Sequence, residues 1–92
     1  MLSFAWDEAK AASNWSKHGV TFEEAATVFQ DPLAAIFDDD AHSGRERREI
    51  IVGHSARGRL LLVGFTERDG VVRVISSRQA TRRERKDYEE RH

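Results

Sequence analysis

Apolar positions along this 92-residue chain change their spacing twice, and each change marks a change of element. Phe4 and Trp6 alternate with Ser3 and Ala5, the period of a short strand. From Asp7 the spacing becomes helical. Asp7 has the short acceptor side chain of an N-cap, and Gly19 stands where a glycine closes a helix that runs to about Lys17. Ala11, Trp15 and His18 share one face of that helix with Glu8, while Lys10, Asn14 and Lys17 follow on the neighbouring face. Thr21 and Glu24 hold the N-cap and N3 positions of a second helix. Its Phe22, Ala25, Ala26 and Phe29 recur at helical spacing, and Asp31-Pro32 ends it. Lys17-His18-Gly19 is therefore the corner of a helical hairpin.

Beyond Pro32 the period shortens. LAAIFDDD (33–40) reads as a strand entering acidic loop residues, AHSGRE as a loop, and REIIVGHS (48–55) as a further strand. LLLVGFTER (60–68) and VVRVISSR (71–78) flank Asp69-Gly70, the composition of a two-residue hairpin turn. Such a turn sets Glu67 opposite Val72, Phe65 opposite Val74, Val63 opposite Ser76 and Leu61 opposite Arg78. One face then collects Leu61, Val63, Phe65, Val72 and Val74, with Glu67 and Arg78 at its ends and Arg59 diagonally near Arg78. The other collects Leu60, Leu62, Gly64, Thr66, Arg68, Arg73, Ile75 and Ser77. Thr81 and Glu84 form a second capping box, opening a polar last helix with only Ala80 and Tyr88 to bury. The order predicts one α+β domain over residues 1–92, a helical hairpin and a C-terminal helix packed on one face of an antiparallel sheet.

Composition narrows the classes. Hydrophobic content of 39% beside 34% charged residues describes a soluble globular protein. Cysteine is absent, which excludes disulfides, a Cys-based zinc site and a Cys nucleophile. No leader-like or membrane-length apolar run is present, so a cytoplasmic location is expected. The net charge of −1 conceals an asymmetry: residues 1–44 hold two lysines against eight acids, and residues 45–92 hold thirteen basic residues against eight. Twelve of those thirteen are arginine, the side chain best shaped for bidentate phosphate contact. A solvated charged surface would look the same.

Several segments in order carry a family resemblance: FAWDEAKAASNWSKHGVTFEEAATVFQDP, then GRLLLVGFTER, then VRVISSRQATRRERKDYEE. From Phe4 to about Glu89 the chain resembles the BrnT family of bacterial type II toxins. The ordered string W-D-x-x-K, N-x-x-K-H-G-V-x-F-E-E-A, D-P, T-E-R, I-S-x-R and R-R-E-R-x-x-Y-E is highly specific. The resemblance implies a RelE-like fold, ribosome-independent RNA cleavage that inhibits translation and growth, and neutralisation by a BrnA-type antitoxin. Such antitoxins carry a ribbon-helix-helix domain, so operator DNA is contacted only through that partner.

The residues accommodate this chemistry. Metal-free RNA cleavage needs a base for the 2′-OH, cations for the charge developing at phosphorus, and an acid for the leaving oxygen. His18 is the acid–base candidate, since histidine ordinarily titrates near pH 6.5, although a helix C-cap role is equally open. Lys17, Arg59 and Arg78 are candidates for charge stabilisation, and Glu67 for a base or a residue that orients an arginine. Arg68, Arg73, Arg82 and Arg83 are candidates for RNA binding. No HExxH, Walker A or repeated Asp/Glu pattern points to a metal or another cofactor, and Asp38–Asp40 reads as an acidic turn. His42 and His54 read as loop and strand-end residues, and His92 as terminal. Trp6 and Trp15 read as packing residues rather than base-stacking platforms. A second function class stays open: a non-catalytic module whose Arg-rich half binds nucleic acid or an acidic protein.

Overall fold

A five-stranded sheet runs through the computed structural model, which describes residues 2–91; the reading of His92 lies outside them. In chain order the elements are β1 (Ser3–Ala5), α1 (Glu8–His18), α2 (Phe22–Thr27), β2 (Ala35–Asp38), β3 (Glu49–His54), β4 (Leu60–Arg68), β5 (Val71–Gln79) and α3 (Arg82–Arg91). Short 3-10 turns follow α2 at Val28–Gln30 and β2 at Asp40–His42. The strands lie in the order β1-β5-β4-β3-β2. From β2 to β5 neighbours are antiparallel, but β1 runs parallel to β5, with Phe4 beside Val72. The wholly antiparallel sheet expected from the sequence is corrected at this edge, because a three-residue strand paired across most of the chain carries no local mark of direction.

Local signals set the helix ends. The Asp7 carboxylate accepts from the Lys10 N–H at 3.0 Å, and Gly19, at φ 64°, turns its N–H back to the Trp15 carbonyl. That left-handed conformation is open to glycine at little cost. Thr21 accepts from the Glu24 N–H, completing half of the expected capping box. The Glu24 carboxylate does not reach back; it turns to Ser55 and Arg59. Asp69 (φ 52°) and Gly70 (φ 79°) are both left-handed, as a type I′ hairpin turn requires.

The core lies between α1–α2 and one face of the sheet. Ile51, Leu61, Val63, Phe65, Val72 and Val74 meet Val20, Phe22, Ala25 and Val28 there. Ala26, expected in the core, is only half-buried. Phe29 stands edge-on to Phe4 at 5.3 Å and to Phe65 at 5.0 Å. Gly53 passes beneath this layer with no room for a side chain, since a Cβ would lie 2.8 Å from that of Ala34.

Three expectations change here. Trp15 is 57% exposed rather than packed. A polar residue, Asn14, defines the buried side of α1: its amide donates to the carbonyls of Val20 and Ser77 and accepts from the Ser77 N–H, each at 2.9 Å. α3 lies on the opposite face of the sheet from α1 and α2, beside Val52, Leu62, Ala35 and Phe37. Tyr88 anchors it, buried, its hydroxyl donating to the Leu33 carbonyl at 3.2 Å and its ring edge-on to His54. Leu60 and Leu62 face that way and need cover, so helices sit on both faces. The third change is in register. Pairing follows expectation from Arg68↔Val71 to Phe65↔Val74, then slips by one residue, giving Gly64↔Ser76, Val63↔Ser77 and Leu62↔Arg78. Ile75 is the extra residue of a β-bulge, which inverts the alternation beyond it. Arg78 therefore joins the α3 face, and Ser77 turns into the α1 side and is buried.

Candidate active-site groove

Beyond the bulge, on the α3 side of the sheet, a groove of about 420 Å³ opens between the end of α1 and the loop after β2. Ile50, Leu62, Gly64, Ile75 and Ser76 line its sheet side. A Cβ on Gly64 would meet the Ser76 hydroxyl at 2.8 Å, so glycine keeps the groove open there. Around these residues stand His18, Asp39, His42, Arg48 and Arg78, with Ser77 at the β5 margin.

Each polar group is placed by its own element. β1 covers β5 only from Val71 to Arg73, which leaves the Ser77 backbone for the Asn14 amide to pair as a strand would. α1 is thereby pinned along β5, and its last residue, His18, arrives at the groove. On the other side the loop after β2 is closed by the Asp39 N–H donating to the Arg48 carbonyl at 2.9 Å. The Ser43 hydroxyl braces it, donating to the Asp39 carbonyl at 2.8 Å and accepting from the Arg48 N–H at 3.0 Å. Inside this loop both carboxylate oxygens of Asp39 lie 3.1 Å from His42 Nδ1. The Asp39 side chain is 18% exposed and that of His42 68%.

Arg78 forms a fork-to-fork pair with Glu84 at 2.7 and 2.9 Å. The guanidinium, aided by the Thr81 N–H and opposed by burial, holds the Glu84 carboxyl down at about 2. The same pairing raises Arg78 above the usual arginine range. Glu84 and Thr81 complete the capping box of α3 in both directions, so one carboxylate starts α3 and orients a groove arginine.

The other expected site residues are dispersed. Lys17 is exposed in the last turn of α1. Arg59 lies on the opposite face from Arg78, bonded through Nε and Nη2 to Glu24 and through Nη2 to the Gly19 carbonyl at 3.1 Å. Its pairing holds the buried Glu24 carboxyl below its ordinary range, against the cost of burial. Glu67 pairs with Val72, six residues along β5 from Arg78, roughly 20 Å at about 3.3 Å per residue, and on the other face. The bulge thus separates the Arg59–Glu67–Arg78 set expected from the sequence. Arg68 and Arg73 line a second groove with Thr66, Glu46 and Asp69. Arg82 and Arg83 are exposed in the first turn of α3. The sequence reading missed Asp39, Arg48 and His42 as groove residues; the i, i+3 spacing of Asp39 and His42 in a loop was the one available sign.

No curated protein matches the chain. The fold resembles the crystal structure of the ribonuclease toxin BrnT of Brucella abortus, with a TM-score of 0.68, 24% identity, and coverage of 89% of this chain and 100% of that one. Residues 6–84 match the family described as ribonuclease toxin, BrnT, of type II toxin–antitoxin system. A match over most of the chain, in the arrangement of strands and helices that the Brucella toxin also has, shows that the chain belongs to the BrnT family of ribonuclease toxins.

Proposed function

We propose that this chain is a metal-independent endoribonuclease that cuts RNA in the groove between α1 and the β2–β3 loop. The observation that carries the reading is the meeting of His18 with two arginines, Arg48 and Arg78, at one groove. An imidazole supplies proton transfer, and paired guanidiniums favour the extra negative charge of a pentacoordinate phosphate. Lys17 adds positive charge beside His18. Arg68 and Arg73, with Arg82 and Arg83, guide the RNA backbone. Arg59 holds the α1–α2 corner that carries His18. Among the described residues, no three His, Asp or Glu side chains gather as metal ligands.

The reading extends to biology. The fold is RelE-like, with α1 and α2 as a helical hairpin. RNA cleavage inhibits translation and growth in the cytoplasm, and a BrnA-like ribbon-helix-helix antitoxin neutralises the toxin and alone contacts operator DNA. Incubating the chain with RNA in EDTA tests the enzymatic part. Products ending in a 2′,3′-cyclic phosphate or its 3′-phosphate are expected. His18→Ala and Arg78→Ala should each lower the rate on the order of 10²-fold while RNA binding persists. Binding without product would favour the non-catalytic module, and activity that returns only with Mg²⁺ would refute metal independence.

A further inference from the structure

The Asp39–His42 pair extends this reading to a residue that neither the motifs nor the family match singles out. We propose that His42 is the general base of the groove, that Asp39 is its positioning residue, and that His18 is the opposing general acid; this rests on the RNA-cleavage reading above.

Asp39 is mostly buried and its backbone is fixed on both sides, by the bond to Arg48 and by the Ser43 hydroxyl. Both its carboxylate oxygens sit at 3.1 Å from one nitrogen of His42. A carboxylate at that distance accepts the Nδ1–H, which leaves the lone pair of the neutral ring on Nε2. The ring itself is exposed toward solvent and lines the groove with Arg48, Arg78 and His18. His18 comes from another element and stands at the C-terminus of a helix, where positive charge is accommodated. The charged groups around the pair include Arg48 at the end of its loop, Arg78 on β5 with its partner Glu84 on α3, and Lys17 next to His18 on α1.

The step balances without another reactant. Nε2 of His42 takes the proton of a ribose 2′-OH, and the 2′-oxygen forms a bond to phosphorus. The P–O5′ bond breaks, and O5′ takes a proton from the His18 imidazolium. One product ends in a 2′,3′-cyclic phosphate and the other begins with a 5′-OH. Arg48 and Arg78 face the added charge on the phosphate between these transfers, and exchange with water resets both imidazoles.

The test uses the full chain, an RNA cut by the wild type in EDTA, and the same RNA with sulfur replacing O5′ at the cut linkage. Thiolate leaves without protonation. His42→Ala and His18→Ala should each slow cleavage of ordinary RNA on the order of 10²-fold. The sulfur substrate should restore His18→Ala to near the wild-type rate and leave His42→Ala slow. The acid limb of the pH–rate profile should vanish in His42→Ala. Asp39→Asn should lower kcat with little change in KM, and Asp39→Glu should recover part of it. Normal cleavage by His42→Ala, alongside failure of His18→Ala and Arg78→Ala, overturns the proposal and leaves the RNA-cleavage reading standing. Rescue of His42→Ala in place of His18→Ala overturns the assignment of roles. A wild type that cuts no RNA removes the reading itself, and the proposal with it.

Discussion

Arg59 divides its guanidinium between Glu24 and the Gly19 carbonyl, so one side chain ties the first turn of α2 to the last of α1. Glu24 is nearly buried and also accepts from Ser55 at 2.7 Å. Removing the arginine leaves that carboxylate buried with, among the described residues, only the more distant Arg57 as a cationic neighbour, at 3.7 Å. Loss of a buried partner costs about 3 kcal/mol or more. Arg59→Ala should therefore lower the unfolding free energy by about 3 kcal/mol while the fraction still folded cleaves RNA at near the wild-type rate, as measured by denaturant titration beside a cleavage assay. A full-stability variant without activity would return Arg59 to the catalytic role its sequence position suggests. Residues of this kind show where sequence reading stops. Asn14 reads as one more polar residue of a helix, because its partner Ser77 lies 63 positions away. His42 reads as a loop histidine until β2–β3 pairing brings its loop beside α1.

At the scale of elements, whatever is specified within a few residues was legible, and whatever needs a distant partner was not. The Asp7 cap, the Gly19 stop, the Thr21 cap and the Asp69-Gly70 turn are each closed by neighbours in sequence. The bulge at Ile75 has no such mark, since Val74 and Ile75 are both apolar and either could have faced the core. α3 combines both cases. Its capping box was visible, but not its face, because few of its residues are apolar and its anchors are Tyr88 on Leu33 and His54 and the Arg91 guanidinium over Phe37. Its start depends on Glu84, whose carboxyl is depressed from an ordinary 4.5 to about 2. A depressed carboxyl contributes stability that is complete above its unfolded-state value and fades as pH falls through the folded one. α3 should therefore loosen between about pH 4.5 and 2, seen as a loss of amide protection, relative to the intrinsic exchange rate, over residues 82–91. Glu84→Gln should remove that pH dependence from α3. Unchanged acid loosening in that variant would assign it to other carboxylates.

Across the whole molecule, part of the charge asymmetry of the sequence carries over to the two faces of the sheet. The acid-rich first half supplies α1 and α2, with Glu8 and Glu23 exposed on the core-side layer. The Arg-rich second half places Arg48 and Arg78 at one groove and Arg68 and Arg73 at another. Register puts Arg68, Arg73 and Arg78 on the face away from α1 and α2, since Arg78 pairs with Leu62, Arg73 with Thr66 and Arg68 with Val71, and Arg48 borders the same groove as Arg78. The bulge matters at this scale too: without it Arg78 would point toward the helices, and the basic track would end short of His18. On the proposed reading, a single RNA strand crossing this face would meet Arg68 and Arg73 first and then the groove. Contacts of this kind release counterions, and each one lost from single-stranded binding should flatten the log–log salt slope by about 0.7. Arg73→Ala and Arg68→Ala should each weaken RNA binding and flatten the slope by about that amount, with the cleavage rate at saturating RNA unchanged. Glu23→Gln, on the opposite face, should alter neither. The comparison needs only RNA titrations at several salt concentrations in EDTA. If Glu23→Gln changes the slope and the two arginine variants do not, RNA runs over the helices instead, and the groove on the other face is not where it is cut.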